Sequence, residues 1–216
     1  MVSALHAQGT DLRPGRNTDL VSLVQAQSRR NTELAHQVTV LRKEVDGLAA
    51  RADERSDLAP ELSRQERRVG LTAVSGPGVT VTLDDAPSSV AADGIEPDLL
   101  VVHQQDIQAV VNALWSGGAE AMTIQDHRVI STTAVKCVGN TVVLHGIPYA
   151  PPYVISAIGD PERLQAALGA SESVKIYLQY VEAYGLVFRE TTEADLRFKA
   201  HEGSLELVHA EPYTGI

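Results

Sequence analysis

An α+β fold carried behind a helical stalk is what this sequence predicts, on three observations. Apolar and small polar residues recur alternately four and three apart through Leu20, Val24, Gln27, Asn31, Leu34, Val38, Leu41, Val45, Leu48 and Ala52, which is the seam of a coiled coil. Beyond Pro60 the pattern changes to short β-rich runs punctuated by glycine and proline. Amphipathic helices between those runs divide them into two successive strand–helix–strand units. A doubled unit of this size packs its helices on one face of an antiparallel sheet, the ferredoxin-like (βαββαβ) arrangement. The expected boundaries are a disordered segment 1–17, a coiled-coil stalk 18–58, a ferredoxin-like domain 59–205 and a C-terminal tail 206–216.

In the stalk, Val24, Asn31, Val38, Val45 and Ala52 take the a positions, and Leu20, Gln27, Leu34, Leu41 and Leu48 the d positions. β-branched residues at a with leucine at d favour two parallel strands, and one buried asparagine fixes register at some cost in stability. The expected assembly is a parallel homodimer through Leu20, Val24, Asn31, Leu34, Val38, Leu41, Val45 and Leu48. The competing arrangement folds the helix back on its own domain. Asn17 or Thr18 caps the helix, and Asp19 suits its N-terminal dipole.

Pro60 opens a short helix reaching Arg67 or Arg68, because a proline at the first helical position forgoes no hydrogen bond. Leu71–Val74 and Val79–Leu83 read as strands, separated by a turn at Ser75-Gly-Pro-Gly78. Residues 85–97 form a loop. Ile107, Val110, Val111 and Leu114 line one face of a helix over 103–115, stopped by Gly117-Gly118. Strands follow at Ala121–Gln125, Val129–Thr133 and Val135–Val138, then a Gly139-Asn140 turn into Thr141–His145. After a proline corner at 148–152 come strand Tyr153–Ile158 and a helix capped by Asp160. A further helix carrying Val174, Tyr177, Leu178 and Val181 ends at Gly185, and strands Leu186–Arg189 and Leu196–Lys199 finish the sheet.

Composition narrows the function. The 216 residues carry 18 Lys and Arg against 28 Asp and Glu, a formal charge of −10, so there is no basic footprint for a phosphate backbone and nucleic acid is excluded as an expected partner. The single cysteine, Cys137, rules out an internal disulfide framework and reads as a small buried residue in a strand. The longest stretch free of Asp, Glu, Lys and Arg, Cys137–Gly159, is broken by glycines and prolines and does not read as a membrane span. The polar beginning lacks the pattern of a signal peptide and reads as a cut end.

No nucleophile, base and orienting group come together in the pattern, and no metal-ligand spacing or phosphate loop is present, so no cofactor is expected. His103 with Asp106 reads as a helix cap, and His127 as a residue of a solvated hairpin turn. His145, and Ser131 with Cys137, are the remaining isolated candidates for chemistry. One cluster is a ligand-site expectation: Arg128 for an anion or carboxylate, the Asn140 turn, and Tyr153 for stacking, converging at one sheet end.

Four segments carry a family resemblance: Gly76–Asp85, Val110–Ile124, Arg128-Val-Ile and Pro151–Asp160. With the heptads they make the chain resemble the bacterial DUF881 family. At Gln125-Asp126-His127-Arg128, relatives often carry an Asn-Gly-Gln-Arg-like turn, of which only Arg128 carries over. The resemblance implies a domain held outside the cytoplasmic membrane by an N-terminal transmembrane helix and a coiled stalk, with a link to cell division or envelope biology. The expected function is therefore a non-enzymatic, membrane-tethered scaffold or adaptor that binds another envelope or division protein. The alternative is a small-ligand sensor using a groove near Arg128 and Tyr153.

Overall fold

The computed structural model describes residues 26–34, 36–41, 43–45, 47, 59–89, 95–138, 141–203 and 209. The N-terminal segment, Leu20, Val24, Leu48, Asn140 and the tail beyond 209 lie outside these. The described residues of 26–47 are helical. Among the described residues no helix is long and apolar enough to cross a membrane.

The globular part is mixed α and β with antiparallel sheets. Helix α1 (Ala59–Arg68) is followed by β1 (Val74–Asp84), a 3-10 turn at Pro97–Leu100, α2 (Gln104–Ser116), β2 (Ala121–Ile124) and β3 (His127–Arg128). Three short strands come next, β4 (Val135–Val138), β5 (Thr141–Leu144) and β6 (Ile147–Tyr149). Strand β7 (Tyr153–Ile158), helices α3 (Pro161–Ala170) and α4 (Glu172–Tyr184), and β8 (Val187–Phe198) complete the chain. A five-stranded sheet runs in the order β3-β2-β7-β1-β8, and β4-β5-β6 form a separate three-stranded sheet.

Alternation along the strands divides the large sheet into two faces. Val79, Val81 and Leu83 of β1 and Tyr153, Ile155 and Ala157 of β7 turn toward one side, where they meet Ile107, Val110 and Leu114 of α2, Leu164 and Leu168 of α3, and Val174 and Tyr177 of α4 in the main core. The other face carries Thr80, Ser156 and Thr123, with the Thr80 and Ser156 hydroxyls 2.9 Å apart. At one end of that face Ala121, Ile158 and Phe198 make a smaller apolar cluster.

The helix ends follow their capping chemistry. Asp160 accepts from the backbone N–H groups of Glu162 and Arg163, and Asp106 accepts from the N–H of His103 at 2.8 Å, as its place at a helix start requires. Gly185 ends α4 at φ 80°, in the left-handed region that glycine enters without penalty.

Several sequence expectations give way. Gly76-Pro77-Gly78 is not a turn: β1 runs through it without a break. A bulge against β8 falls at this point, which leaves Pro77 free of a ladder donor, and its carbonyl accepts from Gly159 N–H. Gly78 is needed because β7 passes so close that a Cβ there would sit 1.9 Å from the Ala157 carbonyl oxygen. The last two expected strands are one, β8, whose polar middle Arg189–Asp195 is that of a sheet edge. Val129–Thr133 is a turn in which Thr133 Oγ1 accepts from Ile130 N–H. Cys137 is exposed, because β4 buries only Val135.

Candidate functional site

Two tight turns and one crossing segment build a pocket on the face of the sheet away from the main core. Gln125 and Asp126 turn β2 into β3 with φ of 51° and 63°. Gln125 holds that turn against β7, accepting from Val154 N–H at 2.8 Å and donating to the Pro152 carbonyl at 3.2 Å. His145 and Gly146 turn β5 into β6 with φ of 51° and 79°, the paired left-handed geometry of a two-residue hairpin. Residues Lys199–Gly203, after β8, cross between them, fixed by the His201 N–H to the Gly70 carbonyl at 2.8 Å.

The result is a cavity of about 220 Å³ lined by Asp126, His127, Arg128, His145, Lys199 and His201 among others. The imidazoles form a row, with ring centroids 5.8 Å apart for His127 and His145 and 5.4 Å for His145 and His201. His127 Nε2 is hydrogen-bonded to the Tyr149 hydroxyl. Burial holds the His127 imidazole below the usual histidine range, opposed by Glu202 and Asp126. His145 is held low by burial first and then by the neighbouring His201 and His127. Burial, followed by Asp126, raises the Tyr149 phenol. Among the described residues no three His, Cys, Asp or Glu side chains are placed to hold a metal ion.

Arg128 stands opposite Thr123 across β2 and β3, which puts it on the pocket side of the sheet. It is 5% exposed, and its Nη1 donates to the carbonyls of Thr72 and Lys199 at 3.2 and 3.3 Å. It thereby ties the segment entering β1 to the segment leaving β8. Among the described residues no carboxylate pairs with it, and burial draws its pKa down from the usual value.

The expected partner of Arg128, Tyr153, is elsewhere. It stands opposite Leu83 on the core side, is 1% exposed, and donates its hydroxyl to the Tyr149 carbonyl. Burial pushes its phenol up to about 12. Arg128 and Tyr153 thus lie on opposite faces of the sheet. Asn140 lies outside the described residues. His127, expected in a solvated turn, is half-buried, and His201 was not among the expected candidates at all.

The stalk residues divide. Asn31 is half-buried, lines the same pocket and places its Nδ2 3.5 Å from the Gly146 carbonyl. Val38 is half-buried, whereas Leu34, Leu41 and Val45 are exposed.

A family described as "Bacterial protein of unknown function (DUF881)" matches residues 61–211, more than half of the sequence. The chain belongs to the DUF881 family. UPF0749 protein YlxW of Bacillus subtilis (strain 168) is 37% identical over 100 residues, covering 46% of this chain and 42% of its own length. UPF0749 protein Rv1823 of Mycobacterium tuberculosis (strain H37Rv) is 27% identical over 196 residues, with 85% and 64% covered. UPF0749 protein Rv1825 of the same strain is 32% identical over 181 residues, with 77% and 57% covered. The DUF881 chain described here therefore spans less than two thirds of the length of these relatives. A solved structure described as an uncharacterized conserved protein from Mycobacterium tuberculosis superposes with a TM-score of 0.54 at 27% identity, over 71% of this chain and 99% of that one.

Proposed function

We propose that this DUF881 chain is a non-enzymatic scaffold of the bacterial cell envelope, dimerised through its N-terminal helix and presenting its α+β domain to another envelope or division protein. The observation that carries this reading is the exposure of three apolar residues of the heptad seam: Leu34 is 49% exposed, Leu41 58% and Val45 62%. Full burial of one such side chain is worth roughly 1.5–3 kcal/mol. Three in one heptad frame on a single chain make a surface that a second helix with the same seam covers. Asn31, expected to fix the register of the dimer, instead faces the Gly146 carbonyl of its own domain, so the zipper proposed here takes in the layers C-terminal to it.

The strand order β2-β7-β1-β8, with α2 linking β1 to β2 and α3 and α4 linking β7 to β8, supports the ferredoxin-like reading of the domain. Tethering by a transmembrane helix outside this sequence, and an extracytoplasmic position, rest on the family resemblance alone. A net charge of −10 favours a protein partner over nucleic acid.

Cysteine pairing tests the zipper. In a Cys137→Ser background, Val38→Cys at an a position is expected to oxidise to a disulfide-linked dimer, while His36→Cys on the outer face stays monomeric. Absence of the Val38→Cys dimer refutes the parallel seam. A second reading, a small-ligand sensor, is favoured by the half-enclosed histidine pocket beside Arg128.

A further inference from the structure

The pocket brings together a buried cation and a row of imidazoles, groups whose shared chemistry is that of anion binding. Arg128 is buried and, among the described residues, has no carboxylate partner, although a buried cation ordinarily has one. The two carbonyls on its Nη1 orient the guanidinium and carry no formal charge of their own. Beside it stand three imidazoles in one row, within a cavity the size of a small polar ligand. We propose that this pocket, formed by Arg128, His127, His145 and His201, binds a small oxyanion of the phosphate class.

The inference rests on the ligand-sensor reading and names its ligand. Among the described residues, the charges facing the cavity are Arg128 and Lys199 on one side and Asp126 and Glu202 on the other, which balance at neutral pH. Tyr149 is neutral there. The imidazoles therefore decide the sign of the pocket: neutral, they leave it with no net attraction for an anion, and protonated, they make it cationic. Ligand entry and proton uptake by the histidine row are then one coupled event, with tighter binding at lower pH. Direct charge-assisted hydrogen bonds from the imidazolium N–H groups and the guanidinium supply the recognition.

Sulfate is the sharpest probe, because it keeps both negative charges throughout the range in which histidine titrates. Histidine side-chain resonances are followed by NMR during sulfate and inorganic phosphate titrations at about pH 6 and about pH 8. Saturable shifts of His127 and His145 are expected, with sulfate affinity about tenfold higher at the lower pH, equivalent to 1.4 kcal/mol. His145→Asn, which keeps a residue tolerant of the left-handed turn, and His127→Gln are each expected to weaken binding several-fold while the amide spectrum stays folded. Sedimentation with phosphatidic acid vesicles but not phosphatidylcholine vesicles, lost in His145→Asn, assigns the oxyanion to a lipid headgroup; free-ion binding without sedimentation assigns it to a soluble ligand. Equal sulfate affinity at both pH values, or affinity unchanged in both variants, overturns the proposal. Saturable shifts with zinc but none with either anion overturn the oxyanion assignment and leave the sensor reading standing, whereas no response to any of these probes removes both.

Discussion

His127 and Tyr149 are hydrogen-bonded, imidazole Nε2 to phenolic hydroxyl, and so join β3 of the five-stranded sheet to β6 of the three-stranded one. The rings also meet edge to face, with centroids 5.6 Å apart. This contact adds to the burial of Val135, Val142 and Leu144 in the main core in holding the small sheet beside the histidine pocket. Tyr149→Phe keeps the ring and removes the hydroxyl, leaving a half-buried imidazole nitrogen without its partner. A loss of about 1 kcal/mol is expected from urea unfolding, and amide exchange in β4–β6 is expected to quicken more than in β1 or β7.

Gly78→Ala tests the close passage of β1 and β7. An added methyl meets the Ala157 backbone carbonyl, which cannot rotate away as a flexible side chain can. The expected cost is about 3 kcal/mol, at the upper end of overpacking penalties, read as a lowered denaturant midpoint. Gly169→Ala has open space around its Cβ and is expected to stabilise α3 by about 0.5–1 kcal/mol through helix propensity.

Stability is expected to fall with acidification through the histidine range. In the folded chain His127 and His145 titrate below the ordinary 6.5, so the unfolded chain takes up protons first as pH drops. The unfolded state then binds more protons than the native state, and unfolding free energy declines with falling pH from about 6.5 until the folded-state values are passed. Above 6.5 these two groups contribute no slope. Asp85 and Asp106, raised chiefly by burial, act in the opposite direction; thermal melts between about pH 7.5 and 5.5 span the histidine range. His145→Asn is expected to flatten the profile in that window.

Cys137 is expected to react with one equivalent of maleimide in the native protein within minutes, because its strand leaves it exposed. Labelling that requires denaturant contradicts that exposure. The cysteine's β-rich neighbours Val135 and Val138 suggest a buried strand, yet Val138 itself is 64% exposed.

That cysteine shows where sequence patterns run out. Local chemistry was legible: Asp160 and Gly185 mark helix ends by the hydrogen bonds and backbone angles they supply, and Val79–Leu83 alternates because one side faces the core. The bulge that carries Pro77 through the middle of a sheet was not legible, since it depends on β8, more than a hundred residues away. Strands of three or four residues in β4–β6 are too short for periodicity to assign a buried face. The pocket draws on residues 127, 145 and 201, which no spacing rule connects. One signal was present: His145-Gly146 is a two-residue turn between β-rich runs, and it fixes where that imidazole points. Arg128 was singled out together with Tyr153, but the pairing register that separates the two depends on the fold.

The central claim is that exposed leucine and valine layers of the N-terminal helix join two copies of the chain. Light scattering on the eluting protein measures this directly, for the chain of 23.2 kDa and for its Leu34→Lys/Leu41→Lys variant. The account predicts twice the chain mass for the former and the single-chain mass for the latter, with the α+β domain folded in both. A single-chain mass for the unmodified protein at all concentrations, or a dimer that survives both lysines, contradicts it.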